Sequence, residues 1–133
     1  MHEFDVRTEQ HGQFVHITQQ VQDAVVELGV GDGAVLVHVP HTTAAVTVNE
    51  GADPDVVTDI LRRLEALVPW TDAADRHGEG NSAAHLKSSL VGCDQVLPVA
   101  GGRLVLGTWQ AVFFCEFDGP RRRRVQVFRL ERA

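Results

Sequence analysis

The sequence has no tyrosine, one methionine and only two cysteines in 133 residues. Cys93 and Cys115 form no CxxC pair, which excludes a thioredoxin-like redox motif and a cysteine-rich zinc site. We expect both to be buried thiols. No apolar run approaches the roughly 20 residues that span a bilayer, and residues 1–5 do not resemble a basic leader. These absences predict a cytoplasmic protein that binds no membrane.

Positive charge is also scarce, with 12 basic residues against 18 acidic ones and a net charge of −6. This balance argues against wholesale nucleic-acid binding. The local exception is Arg121–Arg124, which is either a phosphate clamp or a solvated or subunit-contacting face. Hydrophobic residues make up 44% of the chain, enough for a core, and the length fits one domain over residues 1–133.

The apolar pattern predicts an α+β fold with mainly antiparallel sheet. Alternating or β-branched runs predict strands at residues 4–7, 13–17, 34–39, 42–48, 95–99, 104–117 and 124–130. We expect the first two strands to form a hairpin, and the 95–99 and 104–117 strands to form another. Apolar spacings of three and four predict about three helices, capped by Thr18, Asp53 and Asn81.

Seven histidines make a metal or acid–base site worth considering. His38 and His41 bracket Pro40 between two strands, whereas His77 and His85 lie in a polar loop and in the short third helix. His41, His77 and His85 could converge, but spacing is weak evidence because no pair has the i, i+4 pattern of a helical metal site. His38 is alternatively a packing histidine, and the remaining candidates fit ordinary surface positions: His2, His11 and His16.

The segment Gly78–Asn81 precedes the third helix and suits an anion, because free amides at a helix start point toward it. Arg76 and Lys87 are close in sequence and could add positive charge. The alternative is a capped helix with solvated charges. No Walker or dinucleotide-binding fingerprint is present, which disfavours nucleotide binding.

Gln110 and Glu116 share one face of an apolar strand but lie roughly 20 Å apart at about 3.3 Å per residue. They therefore serve different sites or different copies of one site. If buried, Glu116 must be paired, ligating or proton-carrying, because an unpaired buried carboxylate is costly. The alternative is an exposed glutamate at an edge.

Four blocks of the sequence together resemble the secondary thiamine-phosphate synthase, or YjbQ, family. The blocks are His41–Glu50 with Asp53-Pro54, Asn81–Gly92, Gly102–Gln110 and Glu116–Val125. They follow the family's order over nearly the whole chain. The resemblance implies a β-sandwich-like α+β domain that assembles as a homotrimer.

The resemblance also implies a set of site residues. It places a divalent metal such as zinc, or an anion, on His41, His77 and His85. The other motif residues that it implies are Asn81, Trp109, Gln110 and Glu116. We assign catalytic roles to Glu116, Gln110 and Asn81, and ligand or cofactor binding to Arg76, Lys87 and Trp109.

The activity that the resemblance implies is weak formation of thiamine phosphate, which joins a pyrimidine pyrophosphate to a thiazole phosphate. The physiological substrate stays open, and we expect a small phosphorylated or anionic ligand. The alternative is a non-catalytic trimer that binds a small ligand or a metal. A structural or interaction role, in which the histidines are replaceable, is a third interpretation.

Overall fold

The computed structural model describes residues 1–130, which form eight strands and three helices. In chain order they are β1 (His2–Arg7), β2 (Gln13–His16), α1 (Thr18–Glu27), β3 (Gly33–His38), β4 (Ala44–Glu50), α2 (Pro54–Leu67), α3 (Ser82–Val91), β5 (Asp94–Ala100), β6 (Arg103–Leu104), β7 (Gln110–Glu116) and β8 (Arg122–Leu130). None of these helices is long and apolar enough to cross a membrane.

The strands form two antiparallel sheets. One has the order β1-β8-β3-β5-β6 and the other β2-β7-β4. The main core cluster contains Val35 and Val37 of the first sheet and Val112 and Phe114 of the second, with Val21 of α1 packed among them. The α+β class with mainly antiparallel sheet is therefore confirmed, and the core lies where the two sheets share buried side chains.

The structure differs from the predicted strands in two places, although the predicted hairpin around residues 100–103 is present as β5 and β6. β1 pairs with β8 and β2 pairs with β7, so the opening hairpin does not exist. The predicted strand over 104–117 is also two strands, because a turn at Gly107–Gln110 carries the chain from β6 in one sheet to β7 in the other. Alternation shows that a segment is a strand but does not identify its partner.

Of the three predicted helix caps, the one at Thr18 is wrong, and Asn81 takes the N-cap position of α3 without a capping bond from its side chain. Asp53 does cap α2, accepting the backbone N–H of Asp55 at 2.9 Å. The Thr18 hydroxyl instead accepts the Val112 N–H at 2.9 Å, because α1 packs on β7. Asn81 makes no side-chain cap for α3. Each of these polar groups meets a tertiary partner that outcompetes the local cap.

Both sheet faces of β7 are covered, as its alternation predicts. Val112 and Phe114 face the main core, whereas Cys115 and Phe117 belong to a second cluster under α2 and α3. α2 buries none of its side chains completely, and Leu67 at its end is 71% exposed. The second cluster is thus thinly covered on the α2 side.

Candidate functional site

A cavity of about 430 Å³ opens between the β3–β4 connection, the loop before α3, and the start of β8. Its lining is predominantly polar and comprises Pro40, His41, Thr42, Thr43, His77, Glu79, Asn81, His85, Arg121 and Arg123. The three histidines singled out from the sequence therefore reach one cavity. They come from three different segments, which is why their sequence spacing carried so little information.

His41 is held by the backbone of the arginine run. Its Nε2 accepts the Arg124 N–H at 3.0 Å. Partial burial, followed by the nearby Arg123 charge, lowers the pKa of His41 below its ordinary value. The ring is thus neutral at neutral pH, with its proton on Nδ1, and it can donate that N–H to a ligand oxygen.

His77 and His85 face each other across the cavity. Their ring centroids are 5.3 Å apart and their planes meet at 85°. His77 lies in the exposed loop, whereas His85 is half-buried in the first turn of α3. The ring nitrogens of His77 and His85 form no hydrogen bond to another residue in the part of the chain that the structure describes. Both rings are therefore free to bind a ligand.

Asn81 is almost fully buried, and only half of its amide is satisfied. Its Nδ2 donates to Asp118 Oδ2 at 2.9 Å, which fixes the orientation of the amide. Its Oδ1 is buried and has no partner among residues 1–130. A buried acceptor without a partner is costly. This oxygen therefore needs a hydrogen-bond donor or a cation from a ligand that occupies the cavity.

Glu116 is completely buried and forms an ion pair with Arg123, whose own exposure is 6%. Arg123 Nε donates to Oε1 at 2.8 Å and Nη2 donates to Oε2 at 2.5 Å. Thr8 donates its hydroxyl to Oε1 at 2.7 Å. Burial alone would raise the pKa of Glu116, but the bonds from Arg123 and Thr8 outweigh it and lower the pKa.

This network makes Glu116 a positioning residue in the observed geometry. Glu116 does not line the histidine cavity, whereas Arg123 does. Arg123 Nη2 also donates to Thr43 Oγ1 at 2.8 Å. Its Nη1 has no hydrogen bond to a residue within 1–130, so it remains available to a ligand.

The arginine run divides between two adjoining cavities. Arg121 lines the histidine cavity and bonds Asp118 Oδ2 at 3.1 Å. A second cavity of about 350 Å³ contains Asp5, Arg122 and Arg124, and it shares His41 and Arg123 with the first. Arg122 is paired there with Asp5 at 2.6 Å. Basic groups therefore surround His41 from both sides.

Besides Glu116, four of the residues assigned to the site lie outside its lining. Gln110 is at the opposite end of β7 from Glu116 and accepts the Gly107 N–H at 2.8 Å, beside the 64% exposed Trp109. Lys87 is buried against Glu65 at 2.5 Å and adjoins a separate cavity of about 100 Å³. Arg76 lies exposed in the preceding loop. Closeness in sequence to Asn81 does not bring Arg76 or Lys87 to this cavity.

Asp118, Glu79 and Thr43 help to build the site but were not predicted from the sequence, and Arg123 was considered only as one member of the Arg121–Arg124 run. The sequence did contain a signal for Arg123, because this residue lies on the same face of its strand as the buried Val125 and Val127. An arginine on the buried face of a strand needs a carboxylate partner, and Glu116 was the candidate for a buried carboxylate. No signal in the sequence connects Asp118 with Asn81.

The three cavity histidines do not form a compact metal centre in this geometry. Among residues 1–130, the group of three His, Cys, Asp or Glu side chains whose ligand atoms all lie within 4.8 Å contains none of them. The Nε2 lone pair of His41 also already accepts the Arg124 N–H. A metal bound at Nε2 would displace the Arg124 N–H. A metal bound at Nδ1 would require the ring proton to move to Nε2, because a ring nitrogen carrying a proton cannot bind a metal, and Nε2 could then no longer accept that N–H.

Comparison with known proteins identifies relatives over nearly the whole chain. The family model described as UPF0047 protein YjbQ-like matches residues 2–131. The chain is 52% identical over 122 residues to the UPF0047 protein YugU of Bacillus subtilis, covering 92% of each chain. It is 48% identical to the UPF0047 protein MJ1081 of Methanocaldococcus jannaschii, covering 93% of this chain and 89% of that protein.

Solved structures agree with this assignment. An uncharacterized conserved protein of the YjbQ/UPF0047 family from Clostridium acetobutylicum superposes with a TM-score of 0.93 at 48% identity, covering 96% of this chain and 98% of that one. The conserved hypothetical protein TT1486 from Thermus thermophilus gives a TM-score of 0.91 at 48% identity, covering 98% and 100%. The chain therefore belongs to the UPF0047/YjbQ-like family.

Proposed function

We propose that the histidine cavity binds a small phosphorylated molecule and that the protein is an enzyme acting on it, with weak thiamine-phosphate synthase activity among its reactions. One observation carries this proposal: three histidines and two arginines from separate segments line a single cavity. Guanidinium and imidazole N–H donors are the groups that recognise phosphate oxygens in proteins.

The donors around His41 favour an oxyanion over a metal ion. The neutral His41 ring offers its Nδ1–H, and Arg123 offers an unbonded Nη1 beside it. Arg121 adds a second guanidinium at the rim. The unpartnered Asn81 Oδ1 complements them, because it accepts a hydroxyl or amino hydrogen of the same ligand.

Transfer chemistry that releases pyrophosphate needs negative charge on the leaving group to be stabilised. Arg121, Arg123 and the His41 N–H supply fixed donors for that charge. His77 and His85 have free ring nitrogens and, when protonated, can give a proton to the departing pyrophosphate oxygen. In this scheme Glu116 acts only through Arg123.

A homotrimer remains part of the proposal, because it would bring residues from opposite ends of β7 to one site. Trp109 and Gln110 lie far from the histidine cavity of their own chain. Leu86 and Leu90 are 50% and 57% exposed on the same helix as His85. A second copy covering that apolar surface would lie against the helix that carries His85.

The test is an assay of pyrophosphate release from a pyrimidine pyrophosphate and a thiazole phosphate, using wild type and His85→Ala. We expect the rate to fall about 100-fold or more in His85→Ala, the range for loss of a proton-transferring group. His16→Ala is the matched control, since His16 is an exposed histidine outside the cavity. Equal rates in all three proteins would contradict the assignment.

A metal-binding trimer is the second candidate, favoured by the free rings of His77 and His85 and by the unpartnered Asn81 oxygen. It predicts about one divalent metal per chain in protein purified without tags or chelators, and loss of that metal in His85→Ala. The phosphate proposal predicts that pyrophosphate binds the chelator-treated protein. If binding required added metal, the second candidate would replace the first.

A further inference from the structure

A separate group of ligand-bearing side chains lies where β3 ends and β5 begins. His38 is the last residue of β3, and its register partner is Asp94, the first residue of β5. Cys93 immediately precedes Asp94, and its carbonyl accepts the Val39 N–H at 2.8 Å. The antiparallel pairing thus holds all three backbones in one place without help from a ligand.

The functional atoms of these residues converge. His38 Nδ1 lies 2.5 Å from Asp94 Oδ1. One nitrogen of His38, the Cys93 sulfur and one oxygen of Asp94 all lie within 4.8 Å of one another, a property that no other such trio shows within residues 1–130. None of the three lines the histidine cavity.

We propose that His38, Cys93 and Asp94 form a second site, which binds a zinc-like divalent cation. The donor set is one imidazole nitrogen, one thiolate and one carboxylate oxygen. This mixture suits a borderline-soft cation and disfavours Mg²⁺ and Ca²⁺, which prefer oxygen donors alone. Three protein ligands leave a fourth tetrahedral position for water or another small ligand.

The geometry needs only a small adjustment to accept the ion. Bonds of about 2.0–2.3 Å in a tetrahedral centre separate neighbouring ligand atoms by roughly 3.3–3.8 Å. The sulfur lies within 4.8 Å of the other two ligand atoms, and the His38–Asp94 hydrogen bond must open by about 1 Å to admit the ion. The Asp94 side chain is 50% exposed and can rotate to do so.

An ion pair between His38 and Asp94 does not by itself explain why the Cys93 thiol lies beside them. Cys93 is half-buried and not in a disulfide, and its thiol has no hydrogen bond to another residue in the described part of the chain. Binding the cation forms the metal–sulfur bond and releases the thiol proton to solvent. Affinity at this site should therefore weaken as the pH falls.

The test is a titration of the full-length, chelator-treated protein with Co²⁺, the spectroscopically visible substitute for Zn²⁺. We expect a thiolate-to-cobalt charge-transfer band that saturates near one equivalent, is lost in Cys93→Ser and His38→Gln, and is retained in His85→Ala. Absence of the band in wild type, or its persistence in Cys93→Ser, would overturn the proposal. The His85→Ala protein separates this site from the histidine cavity.

Alkylation of the wild-type thiol gives a second readout that requires no variant. Zn²⁺ should slow modification of Cys93 by iodoacetamide at least 10-fold, measured on its peptide by mass spectrometry. Cys115 is fully buried and serves as an internal reference that stays unmodified while the protein is folded. Equal modification rates of Cys93 with and without Zn²⁺ would refute the site.

Discussion

Arg123 is the residue on which the histidine cavity depends most directly. It is the only arginine of its run that is buried within the described chain, and Glu116 is the reason that this burial is tolerated. Removing one partner of a buried ion pair leaves the other charge uncompensated, which costs more than the pair itself contributes. The stability of the fold and the position of the ligand donor are therefore coupled.

Glu116→Gln tests that coupling at the level of stability. We expect the free energy of unfolding to fall by about 3 kcal/mol, the lower end of the range for breaking a buried pair, because glutamine keeps some hydrogen bonds. Urea denaturation of wild type and variant measures it. Glu79→Gln is the matched control, since Glu79 is exposed and has no salt bridge within residues 1–130. A loss below about 1 kcal/mol would show that the pair is dispensable.

The same carboxylate predicts a pH dependence. Because the pKa of Glu116 is lower in the folded than in the unfolded protein, its contribution is fully present above its ordinary value of about 4.3. It is lost as the pH falls below that value toward the folded-state pKa. The difference in unfolding free energy between wild type and Glu116→Gln should therefore shrink between pH 7 and pH 3, and a constant difference would argue against it.

At the residue scale, the sequence predicted three histidines that share one cavity but not how they are held. His41, His77 and His85 were assigned from resemblance, and the structure places all three around one cavity. Their partners could not be predicted, because Asp118 meets Asn81 across 37 positions and Arg124 meets His41 across 83. The prediction that Cys93 is a buried thiol is wrong: it sits at a strand start and is only half-buried.

The turn between β7 and β8 sets the relation of Glu116 to Arg123. Gly119 lies in this turn, and a Cβ added to it would come 2.2 Å from the Gln10 carbonyl oxygen and 2.8 Å from Glu116 Cγ. The backbone oxygen cannot move aside cheaply. A side chain at this position must therefore push the β7–β8 turn away from the β1–β2 connection, and β8 begins directly after that turn.

Gly119→Ala should lower the free energy of unfolding by about 3 kcal/mol, at the upper end for overpacking a dense region. It should also weaken pyrophosphate binding, because Arg123 shifts with its strand. Gly78→Ala is the control, since its added Cβ meets nothing within 4 Å. Thermal and urea denaturation compare the stabilities of the two variants. Equal stability would show that the turn at Gly119 accommodates an added Cβ.

At the scale of elements, strands and helices were predictable and their partners were not. The Asp53-Pro54 start of α2 and the glycine that ends α3 at Gly92 follow local rules, and the structure has both. Pairing depends on how the whole chain closes. β8 pairs with both β1 and β3, joining segments more than 80 residues apart, and no local pattern contains that information.

The whole molecule leaves apolar side chains uncovered on one end of its helical side. Leu67 of α2 and Leu86 of α3 line one surface depression, and Leu90 continues it one turn along α3. A contiguous apolar surface of this kind is typical of a contact between subunits. The proposed homotrimer would bury it.

Light scattering coupled to size exclusion tests the assembly. Wild type should show about three times the 14.6 kDa chain mass. The double variant Leu86→Glu, Leu90→Glu should shift toward the single-chain mass, because burying two carboxylates is costly. Val26→Glu is the control, a 69% exposed apolar residue on α1. A wild type of single-chain mass would contradict the trimer, and an unshifted double variant would move its interface elsewhere.

At this largest scale, family membership was predictable because four blocks in a fixed order cover the chain. The two-sheet arrangement followed from the resemblance more than from the apolar pattern. The path of the chain between sheets was missed because the connection at 8–12 looks like an ordinary hairpin turn and residues 105–109 look like part of one continuous strand. Long-range closure, rather than local preference, decides where those turns lead.

The most direct test of the central claim is nitrogen NMR of the histidine side chains at neutral pH, recorded before and after addition of inorganic pyrophosphate. We expect a neutral His41 ring protonated on Nδ1, and we expect the signals of His41, His77 and His85 to shift on addition. The signals of His2 and His16 should stay unchanged. Cavity histidines that do not respond to saturating pyrophosphate would contradict the claim that this cavity binds phosphate.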